Sequence, residues 1–501
     1  MACDGRQPTP LHVFGQLPRL SSLYTQVCVC FPLEGNSSRE KVVTRIRRGY
    51  RRLACWVPWI ADAVEFDHSD GLYKIIPTPS SAPFSDSGSA FRVSERRLED
   101  RLPSYQAIRE AGFPFSLLRE EDLASRRTLP NGTGAGLEPL TCAYGSLNAE
   151  REAAIFEVQV NLVDGGCLLV FSAQHNCMDM VAMSEAIRLF FEACRDNGTE
   201  DAGQDTMEFG RLDRWGTSLA RHSGQSTVRG QGTSPEPAPV STSKPAAQPV
   251  VLSSVDPTTG DTPAATWSYI VFSNDSHTQL KAQAMRDLPD HAKTDFVSTD
   301  DVICAILWQN ITHARTVRLA SSVTTSDGAV TSTTSFERLV DSRPYLGLPG
   351  RHPGNFVHKV TTTLSISEVV DQTLGYLASC LRNTLSETDR IEREVRASAE
   401  VLRESLRLRA GAGPPERPKP SSMNVKMSSW AKEKCYEFDF GCCLGKPEAV
   451  RRPAFEAWEG LAFLMPKRID GEIAAAVCLR EEDTERLKAD ENFAKWVRWV
   501  G

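Results

Sequence analysis

Between Ser223 and Thr266 runs a stretch, including TSPEPAPVSTSKPAAQP, that is rich in Ser, Thr, Pro and Ala and nearly free of large apolar side chains. Such a segment cannot bury enough apolar surface to offset the entropy of ordering its backbone. The chain must therefore build its cores on either side of it. At 501 residues, the flanking parts 1–222 and 267–501 are each about the size of one large domain. The stretch 223–266 is read as a largely disordered crossover linker, and two domains leave room for a cleft.

The composition is that of a folded soluble chain, 41% hydrophobic and 24% charged, with no run of about 18 apolar residues able to span a bilayer. The N-terminus MACDGRQPTPLHVFGQLPRL lacks the pattern of a secretory signal and the C-terminus KWVRWVG carries no prenylation signal, which points to the cytoplasm. The 14 cysteines are then expected as reduced thiols. Only Cys28-Val-Cys30 and Cys442-Cys443 are close pairs, and neither has the second pair that a tetrahedral zinc site needs, so no metal is expected. A net charge of −7 argues against binding a polyanion. From Glu40 onward, Val42, Val43, Ile46, Tyr50 and Leu53 recur at helical spacing, with Arg45, Arg47, Arg48, Arg51 and Arg52 between them. Aromatic residues are sparse there, so the basic face is read as solvated rather than as a nucleic-acid site.

Apolar residues alternate at Phe156, Val158, Val160 and Leu162, then at Leu168 and Val170, with Asp164-Gly165-Gly166 between the two runs. This is the pattern of a β-hairpin. Val181, Met183, Ala186, Ile187, Phe190, Phe191 and Cys194 follow as a helical stripe. Beyond the linker, Trp267 to Phe272 reads as a strand, and Ser298-Thr299-Asp300-Asp301 as a capped helix start. Helical patterns fill Ile366 to Leu408, and strands are expected at Tyr436 to Phe440, Leu461 to Met465 and Ile473 to Leu479. The fold class is mixed α/β without a solenoid repeat.

Where the hairpin's second strand gives way to the helix stands His175-Asn176-Cys177-Met178-Asp179, an HxxxD pattern. The spacing recurs at His291 and Asp295, but in the polar segment LPDHAKTD with no strand running into it. At the end of a buried strand an imidazole can be held in one orientation. There it can act as the base that a hydroxyl, a poor nucleophile at neutral pH, needs to attack a thioester. Asp179 is placed to anchor the turn by an ion pair or helix cap rather than to relay a proton. A second pattern, Asp439-Phe440-Gly441, is followed by glycine-rich sequence and by Lys446, Arg451 and Arg452, cations of the kind a phosphate-bearing ligand requires.

HxxxD near the middle and DFG towards the C-terminus resemble the two signatures, HxxxD and DFGWG, of the BAHD-type acyltransferases. The likeness is strongest to fungal members, and extends through GQLPRLSSLYTQV, VSTDDVICAILW at Val297 to Trp308, Met427 to Glu456, and REEDTERLKADENFAKW. It implies two similar chloramphenicol-acetyltransferase-like domains, each a mixed sheet with flanking helices, and an active-site channel between them. The family works through a ternary complex of acyl-CoA and alcohol, with no tightly bound cofactor. Carried over, the catalytic set is His175, Asp179 and Asp439, with Asp439 structural in character. Arg343, as partner of Asp179, and Gly441 give support. Ser428, Trp430 and Asn355 become candidate substrate contacts, and Ser298, Thr299, Lys446 and Arg451 candidate CoA contacts. Cys442-Cys443 replaces the family's Trp-Gly, so no role of that tryptophan transfers.

The reading is a monomeric CoA-dependent O-acyltransferase. It is expected to move an acetyl group from acetyl-CoA to a hydroxyl of a hydrophobic secondary metabolite, a trichothecene-like terpenoid being the acceptor class suggested. Alkaloid, diketopiperazine and polyketide acceptors stay open, as does a catalytically silent ligand-binding protein of the same fold.

Overall fold

Gly165 adopts φ +72°, a conformation that glycine reaches without the Cβ penalty, and there the chain reverses between two fully buried strands. The computed structural model describes residues 6–21, 23–33, 36–78, 93–128, 153–195, 209–210, 265–290, 292–320, 333–408, 423–441 and 444–501. The linker up to residue 264, His291 and Cys442-Cys443 lie outside the described residues.

Strands of the first half are β1 (Thr9–Pro10), β2 (Tyr24–Pro32), β3 (Ala63–Asp67), β4 (Leu72–Ile76), β5 (Val93–Arg97), β6 (Phe156–Val163) and β7 (Gly166–Gln174). Those of the second half are β8 (Ala265–Phe272), β9 (Thr333–Asp341), β10 (Val357–Ser365), β11 (Val425–Ser429), β12 (Ala449–Arg451), β13 (Leu461–Leu464), β14 (Ile473–Arg480) and β15 (Arg498–Val500). They form a seven-stranded sheet β10-β9-β11-β13-β14-β8-β15, a five-stranded sheet β12-β2-β7-β6-β5 and a small sheet β1-β4-β3. The architecture is mixed α/β, in keeping with the interleaved strand and helix patterns.

One strand crosses over. β12, from the C-terminal half, adds to the edge of the five-stranded sheet with Ala449 opposite Cys30 and Arg451 opposite Cys28. The polar residues that alternate with the apolar ones on β6 are buried as well, because the segment before residue 128 covers that face. Glu157 pairs with Arg126 at 2.7 Å, and Asn161 donates to the Leu123 carbonyl at 2.8 Å.

Helix α1 (Asn36–Trp56) lays its apolar stripe onto this sheet beside α2 (Met180–Cys194). At their crossing, a Cβ on Gly49 would lie 2.0 Å from the Cys194 sulfur, so a mid-helix glycine is what lets the two axes approach. Part of the basic face expected to be solvated is engaged: Arg45 donates to Cys194 O, and Arg52 to Ala193 O and Arg195 O. They satisfy the orphan carbonyls at the negative end of the α2 dipole.

In the second half, α3 (Asn274–Arg286), α4 (Thr299–Ala320) and α5 (Leu374–Ser386) share a core with the seven-stranded sheet, while α6 (Thr388–Leu408) joins a separate cluster with Val13, Phe14 and Phe356. No described helix is long and apolar enough to cross a membrane.

Tyr436 to Phe440, expected as a strand, is instead a single 3-10 turn, Cys435–Glu437, followed by irregular chain. Its hydrogen bonds close locally, Phe440 N to Gly445 O, and the Tyr436 hydroxyl accepts from Val450 N. The aromatic residues that gave it a strand-like alternation drop into the N-terminal core, with the Phe440 ring centroid 5.1 Å from that of Phe191 and 6.1 Å from that of Phe31. The DFG phenylalanine thus roots a C-terminal loop in the other half. Phe440→Ala is expected to lower stability by about 3–5 kcal/mol, as for other buried phenylalanines, and chemical denaturation of the purified variant checks it.

Candidate active site

His175 stands just past the last residue of β7, its backbone N–H donating to Leu23 O. The ring is fixed through Nδ1, which lies 3.2 Å from the Met178 carbonyl oxygen and 3.2 Å from Thr25 Oγ1. A carbonyl can only accept, so Nδ1 carries the hydrogen and the lone pair sits on Nε2. Asn355 Nδ2 is 3.4 Å from Nδ1 but only 2.7 Å from the His175 carbonyl oxygen. Its better bond is therefore to the backbone, and the Met178 carbonyl, which can only accept, still decides the tautomer. Burial pushes the imidazole below its ordinary value and the nearby charges of Arg452 and Lys426 add to this, while the Met178 carbonyl and Asp179 oppose it.

Asp179 is the N-cap of α2, its Oδ1 accepting from Ala182 N at 3.0 Å. The same carboxylate takes Arg343 in two parallel bonds, 2.8 and 3.0 Å, and the Phe356 N–H at 2.9 Å. Arg343 has five N–H donors, and all are met: Asp179 twice, Asp341 Oδ1, His352 O and Gly354 O. This is a buried ion pair with both partners satisfied, the condition under which such pairs are tolerated. Burial drives the Asp179 carboxyl up, but Arg343 and the two backbone donors outweigh it and hold it below the usual carboxylate range.

The segment Gly354–Phe356 is the seam. Gly354 O accepts from Asp179 N and Arg343, Asn355 N donates to His12 Nε2 at 3.0 Å, and Ser342 binds Phe356 O. A Cβ on Gly354, at φ +134°, would meet the His12 and Phe356 rings at 2.7 and 2.6 Å. His12 stacks on Phe356, and burial above all brings its pKa down to about 3, so it stays a neutral acceptor. His12 and Thr25 escaped the sequence reading. Thr25 falls within the run GQLPRLSSLYTQV that carries part of the family likeness, whereas nothing local marks His12.

Of the other sequence candidates, Ser428 and Trp430 sit at the end of β11, with Trp430 Nε1 donating to Ser428 Oγ at 3.1 Å. That leaves the Ser428 hydroxyl hydrogen available. Asn355 is buried on the Nδ1 side of His175, behind the ring rather than facing what Nε2 would face. Asp439 is elsewhere: its carboxylate lies 3.5 Å from Arg195, the C-cap residue of α2, and accepts from Gly441 N at 2.8 Å. With 15 residues in α2, that end is about 22 Å from Asp179 at 1.5 Å per residue. Gly441, at φ +93°, makes the turn.

The four candidate CoA contacts are scattered. Ser298 is occupied as the cap of α4, exchanging bonds with Asp301, and Thr299 begins that helix. Lys446 is exposed. Arg451 is not available to a phosphate: it is 3% exposed, lies over Tyr269 and donates to the Val450 and Gly112 carbonyls. The strand pairing of β12, invisible in the sequence, turns it inward. No cluster of metal-ligating side chains occurs among the described residues.

Residues 135–494 match the model of the Transferase family, and residues 23–194 that of the trichothecene 3-O-acetyltransferase-like N-terminal domain. The chain belongs to the Transferase family. It is thus a BAHD-type acyltransferase. It is 35% identical to an O-acetyltransferase of Cryptosporiopsis sp. and 32% identical to a trichothecene 3-O-acetyltransferase of Fusarium sporotrichioides, in each case over 98% of this chain and 97% of the relative. The crystal structure of the F. graminearum enzyme complexed with coenzyme A and T-2 mycotoxin superimposes with a TM-score of 0.77 at 30% identity, covering 99% of this chain and 100% of that one. The BAHD-type chain has the two-domain fold of that enzyme and is a CoA-dependent O-acyltransferase, with acyl-CoA as co-substrate.

In this acyltransferase, Asp179→Asn leaves Arg343 buried beside an uncharged amide. A loss of about 3–5 kcal/mol is expected, as when one partner of a buried pair is removed, and the thermal unfolding midpoint measures it.

Proposed function

We propose that the protein transfers an acetyl group from acetyl-CoA to a hydroxyl of a hydrophobic secondary metabolite, with His175 as the base in a ternary complex. The observation that carries this reading is the tautomer of His175: Nδ1–H is held by the Met178 carbonyl, so Nε2 is the basic nitrogen. Nε2 takes the hydroxyl proton as the oxygen attacks the thioester carbon, and the resulting imidazolium returns it to the departing thiolate. One group serves both steps. No acyl-enzyme is required, and the buried cysteines need not act: Cys177, the nearest to His175 in sequence, has its thiol pushed well above the ordinary value by burial.

Ser428, whose oxygen already accepts from Trp430, is assigned as a donor towards the reacting carbonyl. Asp179, Arg343 and Asn355 are assigned to positioning, and Asp439 and Gly441 to holding the DFG loop. For CoA, Thr299 at the start of α4 and the exposed Lys446 are kept as contacts, and Ser298, whose hydroxyl is engaged with Asp301, only as the cap of that helix; Arg451 is left out. The division at 223–266 is retained as the domain boundary. A trichothecene-like terpenoid alcohol is the leading acceptor class, since one relative is a trichothecene 3-O-acetyltransferase of 32% identity.

The test is release of CoA thiol from acetyl-CoA with a panel of terpenoid, alkaloid and peptide alcohols. His175→Ala is expected to lower turnover by roughly 10²-fold or more, and near-normal turnover would remove His175 as the base. Since burial holds the imidazole pKa below 6.5, Nε2 stays unprotonated as the pH falls through that value. The acid limb of kcat/KM should therefore lie below pH 6.5, and a limb above it contradicts the assignment.

A further inference from the structure

One of the cations that follow the DFG pattern, Arg452, is close enough to the proposed base for its charge to act on it. Arg452 is 5% exposed, and its Nε is buried without a hydrogen-bond partner; Glu120 acts on its charge, but among the described residues no carboxylate comes within ion-pair distance of it. Its guanidinium carbon lies 4.2 Å from the ring centroid of Phe455, 4.4 Å from that of Phe463 and 5.5 Å from that of Trp430. Aromatic faces attract a cation but offer its N–H groups no acceptor. A buried charge left in this condition is costly in the folded protein, and so marks a place where a ligand is expected to supply the missing acceptor.

Strand register locates it. Arg451, the last residue of β12, pairs with Cys28 on β2; Arg452 follows just past the strand, with its guanidinium over Trp430 and Phe463 of the core cluster that holds Val27, on the other face of the sheet. That is the face of Thr25, whose hydroxyl touches His175 Nδ1. From the other sheet, Phe463 is the cross-strand partner of Ser428, so the ring beneath the guanidinium and the Ser428 hydroxyl share one face. Arg452 thus stands where the His175 side and the Ser428–Trp430 side meet. Its charge is also among those felt at His175.

We propose that Arg452 is an oxygen-binding group of the reacting centre, donating to a substrate oxygen that carries full or partial negative charge. This rests on the assignment of His175. Two sources share that chemistry: the thioester carbonyl oxygen during attack, or a carbonyl or carboxylate oxygen of the acceptor. In the first, the hydroxyl oxygen bonds to the thioester carbon, the carbonyl π pair moves onto its oxygen and the hydroxyl proton passes to His175 Nε2. When the adduct collapses, the pair returns, the C–S bond breaks and the thiolate takes the proton from His175. Arg452 keeps its protons throughout.

The experiment compares Arg452→Met and Arg452→Lys with the wild type, using acetyl-CoA with two alcohols, one bearing a ring carbonyl and one whose only oxygen is its hydroxyl. The oxyanion source predicts that Arg452→Met loses roughly 10²–10³-fold in kcat with both alcohols, with the KM for acetyl-CoA little changed. The acceptor source predicts a loss confined to the carbonyl-bearing alcohol and read mainly in its KM; either result supports the proposal. In both cases Arg452→Lys should recover at least a tenth of the activity.

The pH profile adds a readout that packing alone does not move. The charged groups acting on His175 are Asp179, Arg452 and Lys426, and its neutral neighbours are Thr25, Asn355 and the Met178 carbonyl. Removing the Arg452 cation should therefore shift the acid limb upward in the Met variant and leave it in place in the Lys variant. Turnover of Arg452→Met within threefold of wild type with both alcohols overturns the proposal. If the Met variant gives no cooperative melt, the Lys variant decides: a low limb with kcat within tenfold supports the proposal, and a loss as deep as that of His175→Ala overturns it. Unimpaired turnover of His175→Ala would instead fault the base assignment on which the proposal rests.

Discussion

The buried bidentate pair of Asp179 and Arg343 is the constraint on which the arrangement around His175 depends. An unpaired carboxylate or guanidinium at either position would be strongly disfavoured in the interior. Pairing alone does not make such a bridge favourable, because desolvation of two charges opposes their attraction. What makes it tolerable here is saturation: every Arg343 donor has an acceptor, and Asp179 also caps α2 and receives Phe356 N. The pair thereby fixes three things at once: the start of α2, the Gly354–Phe356 segment and the turn that carries His175.

From that frame the orientation of the His175 ring follows. The turn places the Met178 carbonyl against Nδ1, and Gly354–Phe356 brings Asn355 to the His175 carbonyl. Asp179 does not bond to the imidazole. Its influence is geometric, together with a modest electrostatic support of the protonated ring. A relay from His175 to Asp179 is therefore unnecessary, and the saturated carboxylate has little capacity left to accept another proton.

The parts legible in the sequence were those set by local pattern. The β6–β7 hairpin, the α2 stripe, the capped start of α4 and the strands β8, β13 and β14 were all readable from periodicity and turn residues. The HxxxD signature marked His175 and Asp179 because their environment, a buried strand end and a helix cap, is itself local. What failed to show was long-range. Tyr436 to Phe440 alternates like a strand but spends its aromatic residues as anchors in another core. Arg451 looked like a phosphate ligand until β12 paired with β2 and turned it inward. His12 reaches the site across 343 positions of chain, and no local spacing can announce such a contact.

The same long-range pairing brings the two signatures onto one helix although Asp439 does not touch His175. Both act on α2. At its N-terminus Asp179 is clasped by Arg343 from the second half; at its C-terminus Arg195 meets Asp439, while Phe440 packs on Phe190 and Phe191 of the last turns. A helix about 22 Å long held at both ends by the same partner cannot tilt without breaking one clamp. Since the turn bearing His175 leads directly into that helix, the DFG loop and His175 are joined through α2 with no contact between them.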